Sequence, residues 1–249
     1  MVATVATVQC LYPDWPAPAN VGAAFTWRGG GSSTGRYAGL NLAAHVGDDP
    51  AAVASNRRAV REALELPVSP SWLNQVHGRH VLHLEGADEP AAAADAAVSD
   101  GGSVAAVMVA DCLPVLFAAR SGTAVAAAHA GWRGLAAGVL EATVAALAPP
   151  AHELLAWLGP AIGAAHFEVG AEVRAAFVAQ DDAAAAAFTA NARGRWQCDL
   201  RALARQRLRA LGLRSIYSAD ACTYADTERC YSYRRDGVTG RMAALIWLR

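Results

Sequence analysis

An α+β fold of stacked layers is what this sequence predicts. Two observations carry that expectation. Apolar runs of strand length follow one another with turn signals between them, and helical stretches flank those runs instead of alternating with them strand by strand. No repeat and no linker-like segment interrupts the 249 residues, so the chain reads as one domain, 1–249, long enough to bury a core without disulfides.

Taken in order, residues 21–27 read as a strand and Gly29 to Ser33 as a loop. Asp49-Pro50 opens a helix with an acceptor at the N-cap and proline in the first turn; Val53, Val60 and Leu64 give it an apolar stripe. Residues 72–76 and 80–84 are short strands around His77-Gly78. Residues 104–109, 114–119 and 123–128 are three more, the last two joined by the turn Arg120-Ser121-Gly122. A helix over 135–147 stops at Pro149-Pro150, and 154–158 returns as a strand. Residues 168–179 and 200–211 are helices, the second ended by Gly212. Residues 216–218, 231–233 and 242–247 close the fold as strands. The alanine run 183–187 reads as helix, since alanine has the highest helix propensity.

Composition narrows the function classes. Hydrophobic residues make up 54% and charged ones 17%, a globular balance. All basic residues are arginine and the net charge is −1, so no polyanion-binding field is implied. Nucleic acid is not an expected partner without a basic stripe, nor an anionic membrane without a basic arm. Residues 1–10 lack the basic start of a signal peptide, and Asp111 and Pro114 break the longest apolar stretch, 104–119, so no membrane span is expected. Five scattered cysteines suit reduced thiols in the cytoplasm, and a monomer is the working expectation.

Three segments place a His or Cys at a strand end beside glycine or a polar residue: Asn74-Gln75-Val76-His77-Gly78, Ala110-Asp111-Cys112-Leu113-Pro114 and His129-Ala130-Gly131-Trp132-Arg133-Gly134. Two imidazoles and a thiolate form a zinc donor set, and three protein ligands leave the open fourth position of a catalytic site. A zinc-bound water ionises near about pH 7, and the metal would hold Cys112 as thiolate. The separations of 35 and 17 residues match no compact zinc-finger pattern. Taken alone they suit equally two satisfied polar histidines and a small buried thiol. The glycines around Arg133 also suit an anion at the start of the following helix, or simply a glycine turn with a surface arginine. Asp111 suits a general base, a support for a ligand, or a carboxylate capping a turn.

At this point the residues resemble the YfiH-like family, whose members carry laccase-domain or multicopper polyphenol oxidase labels and are described as purine nucleoside phosphorylases. One branch is called peptidoglycan editing factor. Beyond the three segments, the resemblance rests on Leu40-Asn41-Leu42, His45-Val46-Gly47-Asp48-Asp49, Asn56-Arg57 and Asp95-Ala96-Ala97-Val98-Ser99-Asp100. It continues through Gly159-Pro160-Ala161-Ile162-Gly163, Phe167-Glu168-Val169-Gly170, Asp199-Leu200 and Cys222-Thr223, and ends with Tyr231-Ser232-Tyr233-Arg234-Arg235 and Thr239-Gly240-Arg241. Cys230 stands where an aromatic is usual, Met242 where Gln is usual, and a family Asn after Asp199-Leu200 is not evident.

The resemblance implies a layered α/β/β/α arrangement of the cysteine-hydrolase-like kind and one Zn2+ on His77, Cys112 and His129. It implies phosphorolysis of adenosine, inosine and methylthioadenosine, and deamination of adenosine. Asp111, Cys112 and Arg133 are the expected catalytic residues; Asn41, His45, Arg57, Gln75 and Arg234 are the expected substrate contacts. Two rivals follow from the same labels. A copper polyphenol oxidase needs more ligands than seven histidines without a His-x-His pair supply. A hydrolase with Cys112 as nucleophile, editing cell-wall (UDP-MurNAc-amino acid) precursors, is the stronger alternative.

Overall fold

The computed structural model describes residues 7–86 and 93–249. The first half contains β1 (Cys10–Leu11), β2 (Val21–Thr26), α1 (Pro50–Ala63), β3 (Ser71–Trp72), β4 (Val81–His83), β5 (Ala96–Ser99), β6 (Val104–Val109), β7 (Leu113–Ala119) and β8 (Val125–Ala130). There follow α2 (Trp132–Ala137), α3 (Val139–Ala146), β9 (Leu154–Leu158), β10 (Glu168–Val169), α4 (Ala171–Val178), β11 (Phe188–Ala190) and β12 (Trp196–Cys198). The chain continues with α5 (Leu200–Ala210), β13 (Ser215–Ser218), α6 (Tyr233–Asp236) and β14 (Met242–Leu248).

Two large sheets form. One has the order β1-β2-β14-β6-β3 and the other β13-β9-β7-β8-β5-β4, while β10-β12-β11 make a small antiparallel sheet. Alternation along each strand shows how the large sheets stack. In β6, Ala105, Val107 and Val109 pack with Leu116 and Ala118 of β7 and Val125 and Ala127 of β8, so the two sheets share one core. The other face of β6, Val104, Ala106 and Met108, joins Val60 of α1. The other face of β7, Val115 and Phe117, joins Leu140 of α3, Val173 of α4 and Leu203 of α5. The result is an α/β/β/α stack. Strands covered on both faces must be apolar throughout, which is why β6 to β8 read as continuous apolar runs.

Several elements differ from expectation for identifiable reasons. The strand expected over 72–76 ends at Trp72, because the Gln75 side chain takes over the pairing: its amide donates to the Met108 carbonyl (2.8 Å) and accepts from the Met108 amide (2.7 Å). The helix expected over 135–147 begins at Trp132 and breaks at Gly138, whose φ of +93° cannot continue a helix. Residues 231–233 are not a strand: the Ser232 hydroxyl caps the turn α6, so the apolar–polar alternation there is a helix entry. Residues 168–169 pair as β10 before the helix begins. Residues 182–187 form a 3-10 helix capped by Asp181. β5 falls in an alanine-rich run with low strand propensity; of that run, residues 91–92 lie outside the described residues.

The shared core contains Trp157, buried to 2% exposure. Trp157→Ala is expected to cost about 3–5 kcal/mol, read as a lower urea midpoint at unchanged slope.

Candidate metal centre and its cleft

The three ligand-bearing segments meet where the chain crosses between the sheets. β6 belongs to one large sheet and β7 to the other, and Ala110, Asp111 and Cys112 make the crossing. His129 lies on β8 two residues beyond Ala127, so the two-residue repeat turns it toward the opposing sheet. His77 sits in the loop between β3 and β4 with a φ of +59°, a left-handed conformation that histidine tolerates better than most residues. Ligand atoms of His77, Cys112 and His129 lie within 4.8 Å of one another, and Cys112 Sγ is 3.9 Å from His77 Nε2. Among the described residues this is the single cluster of three or more such donors.

Asp95 organises the cluster. It is fully buried, and its Oδ1 accepts from His129 Nδ1 at 2.8 Å and from the His77 amide at 2.9 Å. Its Oδ2 accepts from the amides of Gly78 (2.6 Å) and Val76 (3.2 Å). Burial raises the Asp95 pKa, but the bonds from His129 and from the Gly78 and His77 amides outweigh it and keep the group below its ordinary value. With Nδ1 engaged, His129 presents Nε2 to a cation, the arrangement that fixes tautomer and ring orientation in metal-binding histidines. Burial also raises the Cys112 thiol, but His129 and His77 outweigh it and bring it down. His129 is raised by Cys112 and Asp95 against its own burial. A thiolate beside oriented imidazoles is a donor set that fits zinc.

Glycines allow this crowding. A Cβ on Gly131 would stand 2.9 Å from Cys112 Sγ and 3.1 Å from the His77 ring, and one on Gly134 would stand 2.8 Å from the Gly78 carbonyl. The glycines of His129 to Gly134 therefore admit neighbouring loops. The helix they lead into begins at Trp132, with Gly131 as its N-cap, and not near Leu135. Asp111, with a φ of +94°, accepts from Thr223 Oγ1 (2.7 Å), Ser232 Oγ (2.9 Å) and the Arg234 amide (2.6 Å).

Two cleft lobes meet at the triad, sharing His77, Ala110, Cys112, Arg133 and Tyr233. One, of about 410 Å3, is lined by Ile162, Phe167, Val173 and Leu200 together with Glu168, Glu172, Arg195 and Arg234. The other, of about 460 Å3, holds His45, Gln75 and Arg241. Of the expected substrate contacts, His45, Gln75 and Arg234 thus reach the cleft, although the Gln75 amide is already paired to β6. Arg57 lines a neighbouring cavity with His45. Asn41 is fully buried: its amide donates to Asp48 Oδ2 (2.8 Å) and the Ala43 carbonyl, and accepts from the amides of Arg241 (2.9 Å) and Ala43. It shapes the loop that carries His45.

Sequence reasoning missed three residues. Asp95 was visible as a lone acid interrupting an apolar run. Arg241 and Tyr233 lay inside recognised motifs, but only the fold brings them to the triad.

The chain that builds this layered fold and its His–Cys–His cluster matches a family model over nearly its whole length. Residues 22–249 match the family described as multi-copper polyphenol oxidoreductase laccase, and the chain belongs to that family. It is 53% identical over 241 residues to the purine nucleoside phosphorylase YfiH of Escherichia coli (strain K12), covering 96% of this chain and 99% of the relative. It is 56% identical over 240 residues to the purine nucleoside phosphorylase PA4543 of Pseudomonas aeruginosa, covering 96% and 98%. The crystal structure of Neisseria meningitidis protein NMB0706 superposes with a TM-score of 0.91 at 51% identity, over 96% of this chain and 98% of that one. YlmD from Geobacillus stearothermophilus gives 0.81 at 31% identity, over 98% and 99%.

If the triad holds a metal ion, Asp95→Asn is expected to weaken its binding about 10- to 100-fold, measured by chelator competition with zinc as the probe, with the far-ultraviolet spectrum unchanged. Gly131→Ala should also lower bound zinc, because the added methyl meets the ligand sulfur; full metal occupancy in that variant would contradict the packing argument.

Proposed function

We propose that this protein is a zinc-dependent purine nucleoside phosphorylase acting on adenosine, inosine and methylthioadenosine, with an accompanying adenosine deaminase activity. The observation that carries the reading is the meeting of two cleft lobes, each with arginines in its lining, at His77 and Cys112, in a chain more than half identical to relatives named purine nucleoside phosphorylase. Zinc on those three residues supplies Lewis-acid polarisation where the lobes meet. The donor set supports zinc, and one cluster among the described residues falls short of a multicopper centre.

In phosphorolysis a phosphate oxygen bonds to the ribose anomeric carbon as the bond from that carbon to the purine breaks. The electron pair leaves with the base, which takes up a proton. Positive charge develops on the ribose, so the dianion must be held against it. Arg133 and Arg241 form the cationic side of the cleft. Burial, then the charges of Arg241 and Arg57, hold His45 below its ordinary pKa, which favours its neutral form and leaves the positive charge that would meet an anion to the arginines. Phe167 and Tyr233 offer ring surfaces to a purine. Arg234 donates to the Glu168 carbonyl at 2.8 Å and holds the rim of that lobe. We assign Asp111, Gln75 and Asn41 to positioning, because their polar groups are already occupied. The five free cysteines suit a reducing cytoplasm, and among the described residues no helix is long and apolar enough to cross a membrane.

The 3.9 Å approach of Cys112 Sγ to His77 Nε2 also suits a cysteine hydrolase, the second reading. One experiment separates them. Zinc-loaded protein given adenosine and phosphate should release adenine and ribose 1-phosphate, and should release inosine when phosphate is omitted. Chelation, His77→Ala and Cys112→Ser should each take both activities below detection. Turnover that survives chelation but not thiol alkylation would favour the hydrolase.

A further inference from the structure

A second cavity, of about 850 Å3, lies beside the metal cleft, between α1 and the free edge of β3, and shares His45 and Met108 with it. Its size falls in the usual range for small-molecule sites. Arg57, Arg58 and Arg61 line it from one side of α1. Arg57 is already oriented: its Nε donates to the Leu42 carbonyl at 2.9 Å and its guanidinium lies 4.4 Å over the Trp72 ring. That leaves both terminal amino groups of the guanidinium for a ligand.

Among the described residues none of these three arginines forms an ion pair with a carboxylate. Those that pair with carboxylates among the described residues are Arg193, Arg195, Arg207, Arg229 and Arg235, all elsewhere. Burial lowers the Arg57 pKa to about 10, so the group remains charged at neutral pH while partly desolvated. A desolvated, oriented and unpaired cation is costly unless an anion meets it. The chain carries a net charge of −1, so this concentration of positive charge is local.

We propose that the arginine cleft is a second ligand site, taking the oligophosphate group of a small molecule and opening into the metal cleft at His45. Planar guanidinium forks match phosphate oxygens, and two or three of them on neighbouring helix positions suit more than one phosphate. Apart from His45 and Met108, which the two clefts share, the arginine site takes no part in the phosphorylase reading.

Calorimetry on the whole protein tests it, with inorganic pyrophosphate as the probe. Wild-type protein should bind pyrophosphate, more weakly as salt rises. Arg58→Ala/Arg61→Ala should weaken binding about 10- to 100-fold while melting as a folded protein, and Arg61→Gln alone should give a smaller loss. Cys112→Ser should bind pyrophosphate as the wild type does. Adenosine 5′-diphosphate binding more tightly than either adenosine or pyrophosphate assigns the cleft to a nucleotide tail. Equal affinity for the diphosphate and pyrophosphate assigns it to free oligophosphate. The proposal fails if pyrophosphate does not bind at low salt, if the double variant binds it as the wild type does, or if Cys112→Ser alone abolishes binding.

Discussion

One carboxylate holds the centre together. Asp95 accepts from three successive amides of the His77 loop and from the His129 ring, so it fixes the backbone of one ligand and the ring of another. Such a group is expensive to bury unless every lone pair is used, and here four donors use them. The Cys112 turn has its own anchor: Asp111 is tied to Thr223, Ser232 and the Arg234 amide. Two buried aspartates from different loops thus set the positions of three donors that lie far apart along the chain.

The sheet stack is what lets those anchors work. A crossing from one large sheet to the other must turn sharply, and Asp111 does so with a left-handed backbone beside the ligand cysteine. Close approach of the neighbouring loops then depends on Gly131 and Gly134, which leave room for sulfur, imidazole and carbonyl. The centre opens outward into two lobes that share His77, Ala110, Cys112, Arg133 and Tyr233.

Much of this was legible in the amino-acid order, and the rest was not for physical reasons. The apolar runs of β6 to β8, the Asp49 cap of α1 and the ligand-bearing segments all act locally, so they read directly. Asp95 could not be assigned, because its role exists only once β5 lies beside β8 and the His77 loop folds over it. The glycines after His129 are also constrained by Cys112, His77 and Gly78, segments distant in sequence, and that constraint could not be read locally. Gln75 lines the cleft, and its side-chain amide also pairs with the β6 backbone at Met108, a bond only the tertiary fold creates. Tyr231-Ser232-Tyr233 has strand-like alternation, but the Ser232 hydroxyl finds a backbone amide to cap. Tertiary partners decided each of these cases.

The place of β14 has a consequence for how such a chain acquires its shape. It is the last strand in sequence, yet it lies between β2 and β6. Thr26 on β2 bonds to Ala243 on β14 across a separation of 217 residues. Until β14 arrives, β2 and β6 each present an open hydrogen-bonding edge, the kind of surface on which strands of other molecules can add. Emergence from the ribosome therefore leaves an interval in which both neighbours of β14 are present but the strand between them is not. Contacts this remote form slowly, so that interval is when self-association competes with maturation.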